Sequence, residues 1–305
     1  MSLESEFVRW LTERVVQRDH VLRGIGDDAA IVAGDQRNQV ITTDLLCDGV
    51  HFRWGEVSAA RIGRKALAVN LSDIAAMAAI PEAAVISVAF PRGFALAEAQ
   101  QLYEGILELA DQFDVAVIGG DTNSWSAPLV ISVTMWGRVT EHGPLRRDTA
   151  QVGDRILVTG PLGGSILSHH LDFTPRVRES LLLRSRYDLH AGMDLTDGLS
   201  LDLSRLVASS QVGAELQLDA VPISNDARLL SQSSHKSPLE HALTDGEDFE
   251  LLLTAAPDVA ARIMSDKDLL LSCHDVGKII AEPGLWSITP GGQRTRLQPQ
   301  GYEHR

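Results

Sequence analysis

The feature that most constrains this chain is the repeated placement of an acidic residue beside glycine or at the end of an apolar run. Gly26-Asp27-Asp28, Thr42-Thr43-Asp44, Asn70-Leu71-Ser72-Asp73, Gly119-Gly120-Asp121, Asp194-Leu195-Thr196-Asp197-Gly198 and Asp245-Gly246-Glu247-Asp248 share it. Taken singly, each is explained as readily by a turn or helix cap, where Asp and Asn bond nearby backbone donors. Asp73 within an apolar helical stretch and Asp121 after two glycines serve no such folding need. Carboxylates gathered at one site repel and call for cations. Hard divalent ions such as Mg2+ take oxygen ligands and leave positions open to phosphate. The pattern points to a metal-bridged nucleotide site.

Segments of helical and strand period alternate along the chain, which predicts a mixed α/β (α+β) fold. Phe7, Trp10, Leu11, Arg14 and Val15 suggest an opening helix. Val40–Thr43 reads as a strand delivering Asp44 at its end. Residues 58–79 read as an Ala- and Leu-rich helix limited by Pro81, with Asp73 inside it. A strand is expected over 85–90, a helix carrying Tyr103 over 96–113, and a strand over 115–118 that runs into Gly119-Gly120-Asp121. Strands are also expected over 129–139, 155–159, 214–218, 249–254 and 276–281. Helices are expected from about Gly163 and over 200–209, and a loop leads into Met193. Pro290-Gly291-Gly292 reads as a turn between two short final strands. The hydrophobic period lapses around Arg146–Ala150, dividing the chain into residues 1–148 and 149–305.

Composition removes several function classes. Lys plus Arg number 27 against 41 Asp plus Glu, a formal charge of −14. Such a surface opposes sequence-independent nucleic-acid binding, which relies on basic groups against phosphate. It equally opposes docking on an anionic membrane. No run approaches the length of a membrane helix, and the acidic start Met1–Glu6 has no signal pattern, so a cytoplasmic protein is expected. Cys47 and Cys273, the only cysteines, read as buried thiols. No G-x-x-x-x-G-K-[ST] phosphate loop occurs. Gly24-x-Gly26-x-x-Ala29 imitates a dinucleotide fingerprint, but Asp27 and Asp28 would face a pyrophosphate uncompensated.

The chain resembles the thiamine-monophosphate kinase family, within the superfamily that contains aminoimidazole ribonucleotide synthetase. The resemblance runs over almost its whole length. It rests on Gly24-Ile25-Gly26-Asp27-Asp28-Ala29, Thr42-Thr43-Asp44 with Gly49-Val50-His51-Phe52, and Lys65 to Asp73. Gly119-Gly120-Asp121-Thr122, Asp194 to Leu199, Gly246 to Leu251 and Gly301-Tyr302-Glu303-His304 complete it. The resemblance implies ATP-dependent phosphorylation of thiamine monophosphate to thiamine diphosphate. It further implies two α/β domains, a homodimer paired through the N-terminal one, and nucleotide in the cleft between domains. Asp28, Thr42, Thr43, Asp44, Asp73, Asp121, Asp194 and Asp197 would hold several Mg2+ ions. Tyr103, Gly120, Asp121, Arg147 and Thr196 would contact ATP, and His51, Glu247 and Tyr302 the thiamine phosphate. Asp245 stands where the family usually has a small residue. The alternatives are a related ATP-dependent enzyme with another substrate, or a catalytically silent nucleotide-binding dimer.

Chemistry accords with that implication. A phosphate acceptor, with a second pKa near 6, is already an anionic nucleophile, so no general base is needed. The obstacle is repulsion, about 4 kcal/mol for each pair of unit charges about 4 Å apart at an effective dielectric near 20. Metal-assisted in-line transfer without a phosphoenzyme is therefore expected.

Overall fold

The protein is described by a computed structural model covering residues 20–24, 26–34, 37–269, 271–289 and 291–303. The opening helix, Pro290 of the final turn and His304 of the terminal motif lie outside the described residues. The architecture is mixed α/β, built on two sheets that divide the sequence between them. The first has six strands in the order β1-β2-β3-β6-β4-β5: β1 (Val21–Arg23), β2 (Ala30–Val32), β3 (Gln39–Cys47), β4 (Ala79–Pro91), β5 (Ala116–Trp125) and β6 (Val130–Val139). Gly24–Ala29 thus joins two antiparallel strands, not a strand to a helix, which removes the dinucleotide reading on geometry.

The second sheet has seven strands in the order β13-β12-β9-β11-β7-β10-β8. These are β7 (Arg155–Thr159), β8 (Leu189–Asp194), β9 (Gly213–Gln217), β10 (Leu251–Ala255), β11 (Cys273–Ile280), β12 (Gly284–Ile288) and β13 (Arg294–Arg296). The segment before Met193, expected as a loop, is strand β8. Its Leu189, Ala191 and Met193 are buried against β10.

Helix α1 (Ala59–Ala76) joins the two halves. Ser58 caps its start by accepting from the Arg61 amide, the usual role of a small hydroxyl at that place. The helix is apolar on nearly every face because it is covered on nearly every face. One side meets β3 and β6; the other meets β8, α3 (His169–Asp172) and α4 (Val177–Arg186) from the second half. One apolar cluster therefore runs from Ile62, Leu67 and Met135 through to Phe173, Leu183 and Leu251.

The end of α1 departs from expectation. It stops at Ala76, where Ala78 takes a left-handed φ of 49°. Pro81 lies inside β4, at the point where pairing with β6 shifts register, so its missing donor costs no ladder bond. Two other strands outrun the prediction. β3 continues three residues past Asp44, and β5 carries through Gly119-Gly120-Asp121 to Trp125. Periodicity ends a strand where apolar residues stop, but a ladder continues while backbone partners remain. Helix α2 (Leu96–Gln112) packs on α1, and α5 (Leu199–Ser209) follows the Asp194–Gly198 turn.

Candidate active site

Five of the predicted acid and hydroxyl positions meet where α1, β3 and β8 adjoin. Asp73 enters from α1 and Asp44 from the core-facing row of β3. Asp194 ends β8, and Asp28 comes from the turn before β2. Ligand oxygens of Asp28, Asp73 and Asp194 all lie within 4.8 Å of one another. The Thr42 hydroxyl bonds the Asp73 carboxylate, and Ser72 Oγ donates to Asp194 Oδ2 at 2.5 Å.

The fold leaves this cluster short of positive charge. Burial pushes Asp73 well above the usual carboxylate range, and the neighbouring Asp44, Asp194 and Asp28 push it further. Asp194 rises for the same first reason, then through Asp28. Burial alone lifts Asp44 to about 6. Asp28 moves the other way. Burial would raise it, but Arg147 forks it at 2.8 and 2.6 Å and holds it below the ordinary value. Of the four acids, Asp28 alone is shifted toward its ionised form, and Arg147 is the cause.

A cavity of about 440 Å³ opens over the cluster. Asp44, Asp73, Arg147 and Asp194 form its floor. His51 and Glu247 line it as well, and so do Thr196, Asp197 and Tyr302. Each is placed by its own local chemistry. His51 sits in the turn after β3, where its Nδ1 accepts from the Cys47 amide at 3.0 Å. Asp202 of α5 accepts from the amides of Thr196 and Asp197 at 3.0 and 2.9 Å and so shapes that turn. Asp197 also pairs with Arg205, and its carbonyl accepts from the Tyr302 amide at 3.0 Å. Gly246 must be glycine. Its φ is 75°, and a Cβ there would meet the Thr196 carbonyl oxygen at 2.6 Å.

Asp28 and Thr42 join the cluster without lining the cavity, and four further predicted residues are brought to neither by the single chain. In the sheet register Asp44 pairs with Val133, Val133 with Ile86, and Ile86 with Gly120. Gly120 therefore shares Asp44's cross-strand row, roughly 14 Å away at the usual strand spacing. Asp121 belongs to the next row, with Ser87, Ser132 and Leu45. Successive side chains on a strand alternate faces, so Asp121 points away from the side that carries Asp44. Thr43 does the same: its hydroxyl bonds the Val133 carbonyl at 3.0 Å and Thr134 Oγ1 at 2.9 Å. Tyr103 is half-buried against the apolar cluster. Cys47 and Cys273 are half-buried too, not fully enclosed as expected.

Sequence reading missed several contributors. Lys65, Ser72, Ser165, Asp202 and Asp245 all shape the site. Asp245 accepts from the Gly164 amide at 3.0 Å and from His241 Nδ1 at 2.7 Å. A lysine amid the apolar residues of 59–76 was a visible signal, as was Asp245 in its acidic turn, though neither was assigned to the site.

Geometry of this kind, two α/β sheets sharing an acid-floored cavity, matches a known class. Residues 26–139 match the family model for AIR synthase related protein, N-terminal domain, and residues 151–287 match that for its C-terminal domain. The narrower relationship is also clear. The thiamine-monophosphate kinase of Rhodopirellula baltica is 44% identical over 99% of this chain and 97% of its own length. A solved structure of AaThiL complexed with AMPPCP and TMP superposes with a TM-score of 0.85 at 27% identity, covering 100% of this chain and 99% of that one. Thiamine-monophosphate kinase from Stenotrophomonas maltophilia K279a gives 0.74 at 36% identity, covering 92% and 94%. The chain belongs to the thiamine-monophosphate kinase family of enzymes. Among the described residues, no helix is long and apolar enough to cross a membrane.

Proposed function

We propose that this enzyme moves the γ-phosphoryl group of ATP onto the phosphate of thiamine monophosphate, giving ADP and thiamine diphosphate by direct in-line displacement. The observation that carries the reading is the convergence of Asp44, Asp73 and Asp194, from both halves of the sequence, on one cavity, with Asp28 grouped beside Asp73 and Asp194. The AMPPCP and TMP bound by the solved relative support the same pair of ligand classes.

The donor set fits magnesium. It is all oxygen, as a hard cation requires, and Asp44 Oδ2 is buried with no hydrogen-bond partner among the described residues. Asp28, Asp44, Asp73 and Asp194, with Thr42, would hold Mg2+, which supplies positive charge between two polyanionic ligands. Asp197 stands at the rim for a further ion. The acceptor needs no deprotonation, so these carboxylates act as ligands and none takes a proton. Arg147 would meet ATP only by sharing or releasing Asp28. Thr196, which also lines the cavity, offers a contact to nucleotide. His51, Glu247 and Tyr302 would receive the thiamine phosphate, the ring of Tyr302 being suited to lie on a heterocycle.

The proposal extends to assembly. β5 is a ten-residue edge strand, exposed along most of its length, with Ile118 59% and Trp125 41% exposed. A long unpaired edge is a template for another strand. Pairing there would make a homodimer through the N-terminal unit, taken as residues 1–148 beside a second unit of 149–305. It would also give Gly120, Asp121 and Tyr103 a route to a site that their own chain does not offer them. Consumption of ATP fits a cytoplasmic setting.

The test is an assay of purified protein with ATP, Mg2+ and thiamine monophosphate, followed for both ADP and thiamine diphosphate, with unphosphorylated thiamine as control. Formation of thiamine diphosphate from the monophosphate alone is the expected result. ADP release without it would overturn the reading.

A further inference from the structure

Lys65 sits in the middle of α1 with its side chain fully enclosed (0% exposed). Its Nζ donates to Glu247 Oε1 at 2.6 Å and to the His51 carbonyl at 2.9 Å. The two partners come from opposite halves of the sequence, His51 from the turn after β3 and Glu247 from the loop before β10. Both line the cavity, and Lys65 holds them side by side. Packing does not account for a lysine here. Burying an ammonium is costly even when it is paired, and an apolar residue of similar volume would fill the place without that cost.

The Glu247 loop adds a second observation. Gly246, Glu247 and Phe249 have φ of 75°, 54° and 50°, so two side-chain-bearing residues are held in left-handed backbone. Such conformations persist only where surrounding contacts impose them, and they gather at ligand clamps. Here the contacts are the Glu247 amide to the Thr196 carbonyl at 2.7 Å and the Lys65 ion pair. The pair uses one carboxylate oxygen. Glu247 Oε2 makes no hydrogen bond among the described residues, on a side chain 31% exposed.

We infer that Lys65 is a positioning residue for the acceptor. It ties the His51 turn to the Glu247 loop and presents the remaining Glu247 oxygen to an N–H donor on the acceptor's heterocycle. With no exposed surface, Lys65 acts through these two partners and not by touching ligand. The inference rests on the function proposed above, since the acceptor is thiamine monophosphate, whose aminopyrimidine carries such a donor.

Steady-state kinetics of Lys65→Met, Lys65→Gln, Glu247→Gln and the double variant Lys65→Met/Glu247→Gln test it. Lys65→Met is expected to raise the KM for thiamine monophosphate by about tenfold or more while leaving the KM for ATP within about twofold. Lys65→Gln, whose amide still donates to the His51 carbonyl, should lie between it and the parent. The double variant should be no worse than the worse single one, because both break the same contact. An unchanged acceptor KM, equal rises in both KM values, or multiplying effects in the double variant would each overturn the inference. So would failure of both lysine variants to fold, which would make the role structural. A parent enzyme inactive on thiamine monophosphate would remove the proposed function itself. An active parent with unaltered Lys65 variants would remove only this inference.

Discussion

The floor of the cavity and the edge of the first sheet carry acidic residues of similar sequence context, and the fold treats them in opposite ways. Asp73 and Asp194 are enclosed, crowded by like charge and driven well above the ordinary carboxylate range. Asp121 follows two glycines on β5 and stands in the open, on a strand that, among the described residues, is paired on one side only, with β4. The difference is one of neighbours. β3 is covered by α1 on its inner face, so an aspartate there is desolvated. β5 is an outer strand of the same sheet, where water screens any charge. The buried cluster is a strained store of like charge within one chain. The edge acid, by contrast, is kept out of that cluster by its strand and register.

The largest expected effect is at the floor. Asp73→Asn should cut turnover by more than about 100-fold, beyond the loss typical of an outer metal partner. It should also raise the melting temperature of metal-free protein near pH 8, because it removes one of several repelling charges. A drop in metal-free stability would break the comparison. Next comes the edge. Asp121→Asn should lower turnover comparably but leave metal-free stability unchanged. If β5 pairs across a dimer, mixing the inactive Asp121→Asn and Asp73→Asn chains should restore part of the activity. No restoration would return Asp121 to its own chain. Ile118→Lys, which places a charge on the open edge, should shift sedimentation toward monomer and lower activity with it.

Acidity sharpens the contrast further. Asp44 is lifted from an ordinary 3.8 to about 6 by burial, so the folded state binds its proton more tightly than the unfolded chain. Its contribution to stability is complete below about 4 and is lost as pH rises through about 6; Asp73 and Asp194 extend that loss upward. The melting temperature of metal-free protein should therefore fall between pH 5 and 8. Added Mg2+ should raise it more at pH 8 than at pH 5, because deprotonated carboxylates bind the ion. A Mg2+ shift independent of pH would count against the cluster as its site. The smallest effect is at the rim. His51→Ala should raise the KM for thiamine monophosphate by about tenfold and the KM for ATP much less, measured under identical Mg2+.

Much of the site was legible because turn chemistry is local. Asp73 stood out as a carboxylate in an apolar helical stretch, and Asp28, Asp44 and Asp194 as acids of the recurrent turns and strand ends; the structure gathers all four. Thr43 and Asp121 had the same local look, yet they face away from that cluster. Only register and face decide this, and one residue along a strand reverses the answer. Lys65 was hidden for another reason. A lysine in an apolar helix is visible in sequence, but its partner Glu247 lies 182 residues onward.

The sequence by itself determined the mixed α/β class, the resemblance to a kinase family and which acids were candidates for the site, because periodicity and turn preference are properties of neighbouring residues. Tertiary structure alone decided which acids share a cavity, that α1 is enclosed by both halves, that Arg147 neutralises Asp28, and that β5 is an edge strand among the described residues. Those outcomes depend on burial and charge brought together from distant parts of the chain, and desolvation acts only once water has been excluded.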